Sequence, residues 1–251
     1  MPAPLRVIPV SFNGEIYAGD DLVEKLRSAL RHHRLSLRNT DILVIKHKIV
    51  SKAEGRIVRL DSVRPSRRAS IWARSAGTDA RLLTLALRES KRIVRQKHGI
   101  LIAETGIGLV CANSGVDVSN VDGGTSAVLL PEGPDCSASG LRAAIKRRLG
   151  VSPAVIITDS FGRPWREGLT EVAIGLAGIK PLRDYRHKRD QYGYFLRASV
   201  EAVADELACA AGLVCGKLDR TPFCIIRGYR YQAGRGSAGE LIRPAKNDLF
   251  R

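Results

Sequence analysis

One stretch constrains this chain more than any other: Ala-Val-Ile-Ile-Thr-Asp-Ser-Phe-Gly-Arg-Pro-Trp-Arg-Glu-Gly, residues 154–168. Its first residues are apolar and largely β-branched, the pattern of a short buried strand. The run breaks off at Thr158-Asp159-Ser160, where the strand is expected to stop, and glycine, proline and charged side chains follow. A carboxylate and a hydroxyl at the end of a buried strand are hard oxygen ligands on a rigid support, which suits Mg²⁺ or Mn²⁺. Arg163 and Arg166 just beyond can take phosphate oxygens in bidentate fashion. Taken alone, Asp159 serves equally well as a turn or helix-capping residue.

A second segment of the same kind weighs against that plainer role. Leu109 to Ala112 read as strand, and a polar loop rich in Gly, Asn, Ser and Asp follows, holding Asp117, Asn120 and Asp122. Asp117 paired with Asp159 would complete a divalent-metal site, leaving Asn120 and the loop amides to address phosphate or base. The spacing does not fit an EF-hand. An ordinary loop with two Asx turns is the local alternative.

The net charge of +16 fits an anionic partner, either nucleic acid or a compact polyanionic substrate focused by a basic cleft, while a merely basic, solvated surface accounts for most of the 41 lysines and arginines. Aromatic residues are only 5% of the chain and are not interleaved with the basic ones, which argues against single-strand stacking. No helix-turn-helix or zinc-finger pattern is present. Runs of about 18 apolar residues are absent, so no membrane span is expected. The start Met-Pro-Ala-Pro-Leu-Arg lacks the layout of a secretory signal. Five scattered cysteines without a C-x-x-C pair fit neither zinc nor a disulfide framework, and a reduced cytoplasmic setting is expected.

In chain order, Leu5 to Val10 read as a strand, the turn Phe12-Asn-Gly-Glu-Ile16 follows, and Gly19-Asp-Asp21 opens a helix through about Leu30. Asp41-Ile-Leu-Val-Ile45 is a buried strand running into Lys46-His-Lys-Ile-Val-Ser-Lys-Ala-Glu-Gly55, whose lysines are placed to hold nucleotide phosphates. Flanking glycines are missing, so this is no Walker loop. Residues 61–98 are Arg-rich and read as mostly helical, with Leu82, Leu83, Leu85, Ala86, Ile93 and Val94 as the apolar face. Strands at 99–103 and 109–112 flank a hairpin, and another runs from Ala127 to Leu130. Ser139 is expected to cap a helix closed by Gly150. Ser199 is expected to begin the longest amphipathic helix, with Asp205 and Glu206 facing solvent, and Phe223 to Gly228 is the last strand. His47 and His187 are acid–base candidates without an assigned role.

Taken in order, these motifs resemble the coenzyme F-420 precursor:L-glutamate ligase family. The runs that carry the resemblance are Gly19-Asp-Asp-Leu22, Lys48-Ile-Val-Ser-Lys-Ala-Glu-Gly55, Gly115-Val-Asp-Val-Ser-Asn-Val121 and Ile157-Thr-Asp-Ser-Phe-Gly-Arg-Pro-Trp-Arg-Glu-Gly168. Ala204-Asp-Glu-Leu-Ala208, Leu213-Val-Cys-Gly-Lys217, Ile226-Arg-Gly228 and Arg243-Pro-Ala-Lys-Asn-Asp-Leu-Phe250 complete the set. The resemblance implies an α+β fold with a mixed sheet and no Walker loop, in an intertwined homodimer. It implies one unit over residues 1–251, possibly in two subdomains, without the fused nitroreductase-like flavin domain of some bacterial members.

The implied reaction is GTP-dependent. The carboxylate of a phospholactyl deazaflavin precursor is phosphorylated, and the α-amine of L-glutamate then displaces phosphate, with Mg²⁺ or Mn²⁺ and often K⁺. Such chemistry needs little more than positioning and charge neutralisation, and its anionic substrates would give the positive charge a use. Neither nucleic acid nor membrane is an expected partner. By the resemblance, Asp117 and Asp159 match metal-binding aspartates, with Ser160 completing a second metal's shell. Asn13, Gly14, Glu15, Ile16, Lys52 and Asn120 match nucleotide contacts, and the loop at Gly216 approaches the nucleotide. Arg163 is expected to orient the acceptor, and so joins Asp117 and Asp159 in the catalytic set. Two departures stand out: Lys217 occupies the place of a Gln or Glu metal ligand in some archaeal members, and His47 that of a small polar nucleotide contact. Alternatives are an amide ligase or kinase acting on another acid, or a basic nucleic-acid-binding protein.

Overall fold

A computed structural model describes residues 4–97 and 99–248. Met1 to Ala3 at the start of the sequence, His98 at the end of the Arg-rich stretch, and Leu249 to Arg251, which include the last two residues of the closing motif, lie outside the described residues.

Strand β1 (Arg6–Val10) leads through the Phe12–Ile16 turn to helix α1 (Leu22–His32). Asp21 caps that helix by accepting from the Val23 and Glu24 amides, as its acidic start predicts. β2 (Ile42–Lys46) runs directly into the short helix α2 (His47–Ala53). Next come β3 (Ile57–Arg59), α3 (Arg67–Ala76), α4 (Ala80–Arg88), β4 (Ser90–Lys97), β5 (Ile100–Thr105), β6 (Val110–Ala112) and β7 (Ser126–Val128). α5 (Pro134–Leu149), β8 (Ala154–Arg163), β9 (Arg166–Ala177), β10 (Arg183–Asp184), β11 (Val200–Glu201), α6 (Val203–Val214) and β12 (Phe223–Arg227) complete the regular elements.

The largest sheet has the order β1-β12-β2-β8-β9. It is mixed: β2 and β8 pair in parallel, and the other neighbours are antiparallel. Leu43, Ile45, Val155 and Ile157 point to one face, under α1 and α5, while Ile42, Val44, Ala154 and Ile156 point to the other, under α6. Cover on both faces explains why β2 and β8 read as continuous apolar runs rather than alternating ones. Residues 57–130 form a second region around β3-β7 and the three-stranded β4-β5-β6 sheet, with smaller cores that include Ala69, Leu83, Leu101 and Ala103. Among the described residues, no helix is long and apolar enough to cross a membrane.

Several local expectations are corrected. β8 does not stop at Thr158; it continues to Arg163, paired along its length with β9. The change in polarity marks where the strand leaves the core, because backbone pairing with β9 continues without buried side chains. Ile93 and Val94 lie on β4, not on a helix, since that segment is taken up by pairing with β5. α5 starts at Pro134, so Ser139 is interior. A proline at the first helical position and Asp135 in the first turn supply the start signal. Ser199 likewise begins no helix: α6 starts at Val203, Val200 belongs to β11, and α5 is longer. Asp205 is partly buried and accepts from the Ala173 amide at 2.8 Å, which pins α6 to β9.

Candidate active site

The site lies where β2 and β8 end. α2 follows β2 without a loop, so Lys46 closes the strand while Lys48 and Lys52 stand one helical turn apart. Both face a cleft of about 790 Å³. His47 also lines it, with its ring buried at 3% exposure. Its Nε2 lies 3.2 Å from Asp159 Oδ1 and its Nδ1 is 3.4 Å from the Ser51 hydroxyl. His47 therefore orients an aspartate, a placement that the strand-to-helix junction dictates and that residue type alone did not reveal.

Opposite stands the loop after β6. Asn113, Ser114, Asn120 and Asp122 all hold positive φ, a concentration of costly backbone that marks functional loops. Gly115 has φ +74°, and a Cβ there would lie 2.5 Å from Leu130 Cγ, so glycine is required for the turn into Asp117. Ser114 anchors the loop by donating to the Ala86 carbonyl at 2.9 Å. Asp117 is held by the Lys48 ammonium at 2.7 Å and by the amide and hydroxyl of Ser119 at 2.7 and 2.9 Å. Burial works to raise the Asp117 pKa, but these donors outweigh it and leave the carboxyl below its ordinary value. The two walls also meet at Cys111, whose thiol is pushed up to about 12 by burial and by the charge of Asp159.

The structure brings most of the predicted residues together. Asp117, Asp159, Ser160 and Asn120 line the cleft, as do Gly14, Glu15 and Ile16 of the first turn, and Gly216 and Lys217 after α6. Lys52 Nζ lies 3.8 Å from Glu15 Oε2, which ties α2 to that turn. Asn13 is not among the lining residues; its carbonyl accepts from Arg220 at 3.2 Å and so holds the turn. Arg163 is not brought in either: it sits near the tip of the β8–β9 hairpin and donates to the Glu167 carbonyl at 2.9 Å.

Sequence reasoning missed Glu171 and Thr158. Ser160 is paired with Glu171 across the hairpin, and the Ser160 hydroxyl donates to Glu171 Oε1 at 2.8 Å. The same oxygen accepts from Lys46 Nζ at 2.6 Å. A count outward from the Pro164-Trp165 turn would instead set Leu169 opposite Ser160. The extra residues Glu167 and Gly168 shift the register.

Two carboxylates and a hydroxyl facing one cleft fit a hard cation that keeps several waters and takes its remaining oxygens from substrate phosphates. Among the described residues, no group of three or more His, Cys, Asp and Glu forms an all-protein metal cage. The donor set thus suits Mg²⁺ or Mn²⁺ arriving with a phosphorylated ligand, held by Asp117, Asp159 and Ser160.

Comparison with known proteins gives a consistent assignment. The family described as F420-0:Gamma-glutamyl ligase matches residues 13–228. The chain is 45% identical over 237 residues to the coenzyme F420:L-glutamate ligase of Methanothermobacter thermautotrophicus, covering 93% of this chain and 94% of that protein. The protein of the same name from Methanopyrus kandleri is 42% identical over 252 residues, or 98% of each chain. That from Methanocaldococcus jannaschii is 41% identical over 216 residues, 86% of each. The match runs from the Asn13 turn to the end of β12 and takes in both walls of the cleft: the chain belongs to the F420-0:gamma-glutamyl ligase family.

Proposed function

We propose that this chain is a coenzyme F420:L-glutamate ligase that uses GTP to join L-glutamate by an amide bond to the carboxylate of the deazaflavin precursor, through an acyl phosphate. One observation carries the reading: two aspartates from different regions, Asp117 and Asp159, face the same cleft as Lys48 and Lys52. Such a cleft can hold a nucleotide and a second anion together.

In this reading the Asn13–Ile16 turn, Asn120 and the Gly216 loop cradle GTP, and Lys52 neutralises its phosphates as a point charge. Asp117, Asp159 and Ser160 hold Mg²⁺ or Mn²⁺, which supplies neutralisation of charge developing on the transferred phosphoryl group. His47 keeps Asp159 in place by its contact at 3.2 Å. The precursor's carboxylate attacks the γ-phosphorus, GDP leaves, and the glutamate amine then displaces phosphate from the acyl carbon. No residue is assigned to K⁺. Arg163, outside the cleft, is assigned to the hairpin arm of a homodimer. That arm carries Trp165 at 81% exposure, apolar surface of the kind that a partner covers.

The test is a GDP-release assay with each substrate omitted in turn, with hydroxylamine added to the reaction lacking glutamate. GDP release that requires the precursor, and a hydroxamate on its carboxyl, are the expected results. Rapid GTP hydrolysis without precursor, or phosphate on glutamate, would overturn the mechanism.

A further inference from the structure

Ser160 lines the cleft next to Asp159, and the direction of its hydroxyl proton matters. A hydroxyl has one proton to give and two lone pairs to offer. Beside a carboxylate it readily gives the proton there, and a proton aimed into a cation site cancels the group's value as a ligand. The Ser160 proton goes elsewhere, to Glu171 Oε1 at 2.8 Å. Asp159 is tied to Ser160 by backbone instead: the Ser160 amide donates to Asp159 Oδ1 at 2.7 Å. The hydroxyl's lone pairs are thereby left unspent by its own neighbours.

Glu171 is held from several sides. Three adjacent strands, β2, β8 and β9, each supply one side chain to this contact. Ser160 and Glu171 are direct register partners, which puts both side chains on one face. From the end of β2, Lys46 reaches across and donates to the same Oε1 at 2.6 Å. The Cys209 thiol of α6 donates to the Glu171 carbonyl at 3.1 Å. Gly212, one turn on, leaves room for the Glu171 stem: a Cβ there would lie 2.6 Å from Glu171 Cγ. The side chain is only 10% exposed, and its second oxygen, Oε2, is buried without a hydrogen-bond partner. An unpaired buried carboxylate oxygen is costly and calls for a specific explanation. The packing holds Glu171 for what Oε1 does, against what Oε2 lacks.

Resting on the ligase reading above, in which Asp117, Asp159 and Ser160 hold the divalent cation, we infer that Glu171 is a positioning residue for that site. Its Oε1 takes the Ser160 proton and so keeps the hydroxyl's lone pairs available to the cation, while Lys46 fixes Oε1 in place. Glu171 serves as an acceptor throughout, and no proton changes owner. Lys46 lines the cleft, but its charge is spent on this carboxylate and not on a nucleotide phosphate. Partners of this kind, one step behind a ligand, are worth about ten- to a hundredfold in metal affinity.

The experiment titrates Mn²⁺ into the GDP complex and reads free Mn²⁺ by electron paramagnetic resonance, so it does not depend on turnover. Lys46→Met with Glu171→Met removes the acceptor while leaving the net charge unchanged, and replacing both members of a buried pair is well tolerated by folds. Mn²⁺ affinity is expected to fall by about tenfold or more. Lys46→Met with Glu171→Gln returns a neutral acceptor oxygen at the same net charge and should recover affinity to within about threefold of wild type. Ser160→Ala should lose about as much as the Met pair, and combining the two should lose no more than either alone, because they break one contact. Wild-type affinity in the Met pair, no recovery with Gln, or losses that multiply in the combination would overturn the inference. Gly212→Ala supplies an independent arm. It favours the helix and leaves every cleft side chain in place, but presses on the Glu171 stem, so Mn²⁺ affinity should drop about threefold or more. An unmoved affinity there would sink the inference even if the Met pair failed to fold. Asp159→Asn separates the two readings. Wild-type Mn²⁺ affinity in that variant would overturn the metal site itself, whereas a loss there beside an unmoved Met pair would overturn the role of Glu171 alone.

Discussion

The two walls of the cleft are built on opposite terms. On one side, β2 and β8 lie in a sheet covered on both faces, and Ile42, Leu43, Val155, Ile156 and Ile157 are all fully buried. Lys46 and Asp159 stand at the end or continuation of those strands, and Glu171 stands on the neighbouring β9. On the other, residues 57–130 pack around clusters with several alanines, and Asp117 sits on a loop with repeated left-handed backbone. The difference teaches a division of labour. Groups that must keep fixed spacing are mounted on the rigid sheet, and groups that must wrap a ligand are mounted on a loop held by a few hydrogen bonds.

The largest effects should separate the two walls by stability. Ile156→Ala removes a fully buried side chain from the covered sheet and is expected to cost about 4 kcal/mol in urea unfolding. Leu101→Ala, equally buried but in a smaller cluster able to collapse, should cost about 2 kcal/mol. The reverse order would break the comparison.

Chemistry should ignore the division. Asp117→Asn and Asp159→Asn each remove a charged oxygen ligand while keeping shape, so turnover is expected to drop about a hundredfold or more in both, with the fold retained. Near wild-type turnover in either folded variant, checked by steady-state kinetics and circular dichroism, would remove that wall from the active site. A smaller effect sharpens the picture on α2. Lys52→Ala should weaken GTP binding by about tenfold with little change in the response to glutamate. Lys46 and Lys48, engaged by Glu171 and Asp117, should act on turnover more than on nucleotide affinity. Equal small losses of GTP affinity at all three lysines would return this stretch to a solvated basic surface.

The smallest effect lies behind the sheet, at Asp205. Burial raises its pKa against the opposing Ala173 N–H bond. The folded protein therefore favours the protonated acid. Stability from this site is fully present below the ordinary carboxyl value of about 3.8 and is lost as pH rises through the raised one. Asp205→Asn removes that loss, so its Tm relative to wild type should climb between acid and neutral pH. A pH-independent difference would contradict the buried setting.

Local signals were readable in the chain because they are local. Asp21 caps α1, Gly150 closes α5 in a left-handed conformation, and the apolar runs of β2, β8 and β12 form strands. Side-chain type biases backbone geometry within a few residues, and burial on both faces writes itself as uninterrupted apolarity. The motifs also named most of the cleft, since Asp117, Asp159, Ser160, Lys52 and Asn120 line it. Position across the fold was another matter. An extended hairpin and a two-residue register shift put Glu171 beside Ser160, and helix α2 turned His47 onto Asp159. Arg163, adjacent in sequence to the aspartate, was carried out along the arm instead. Those outcomes depend on which strands become neighbours and where a bulge falls. Both are set by packing of the whole chain, which the type of any single residue does not encode.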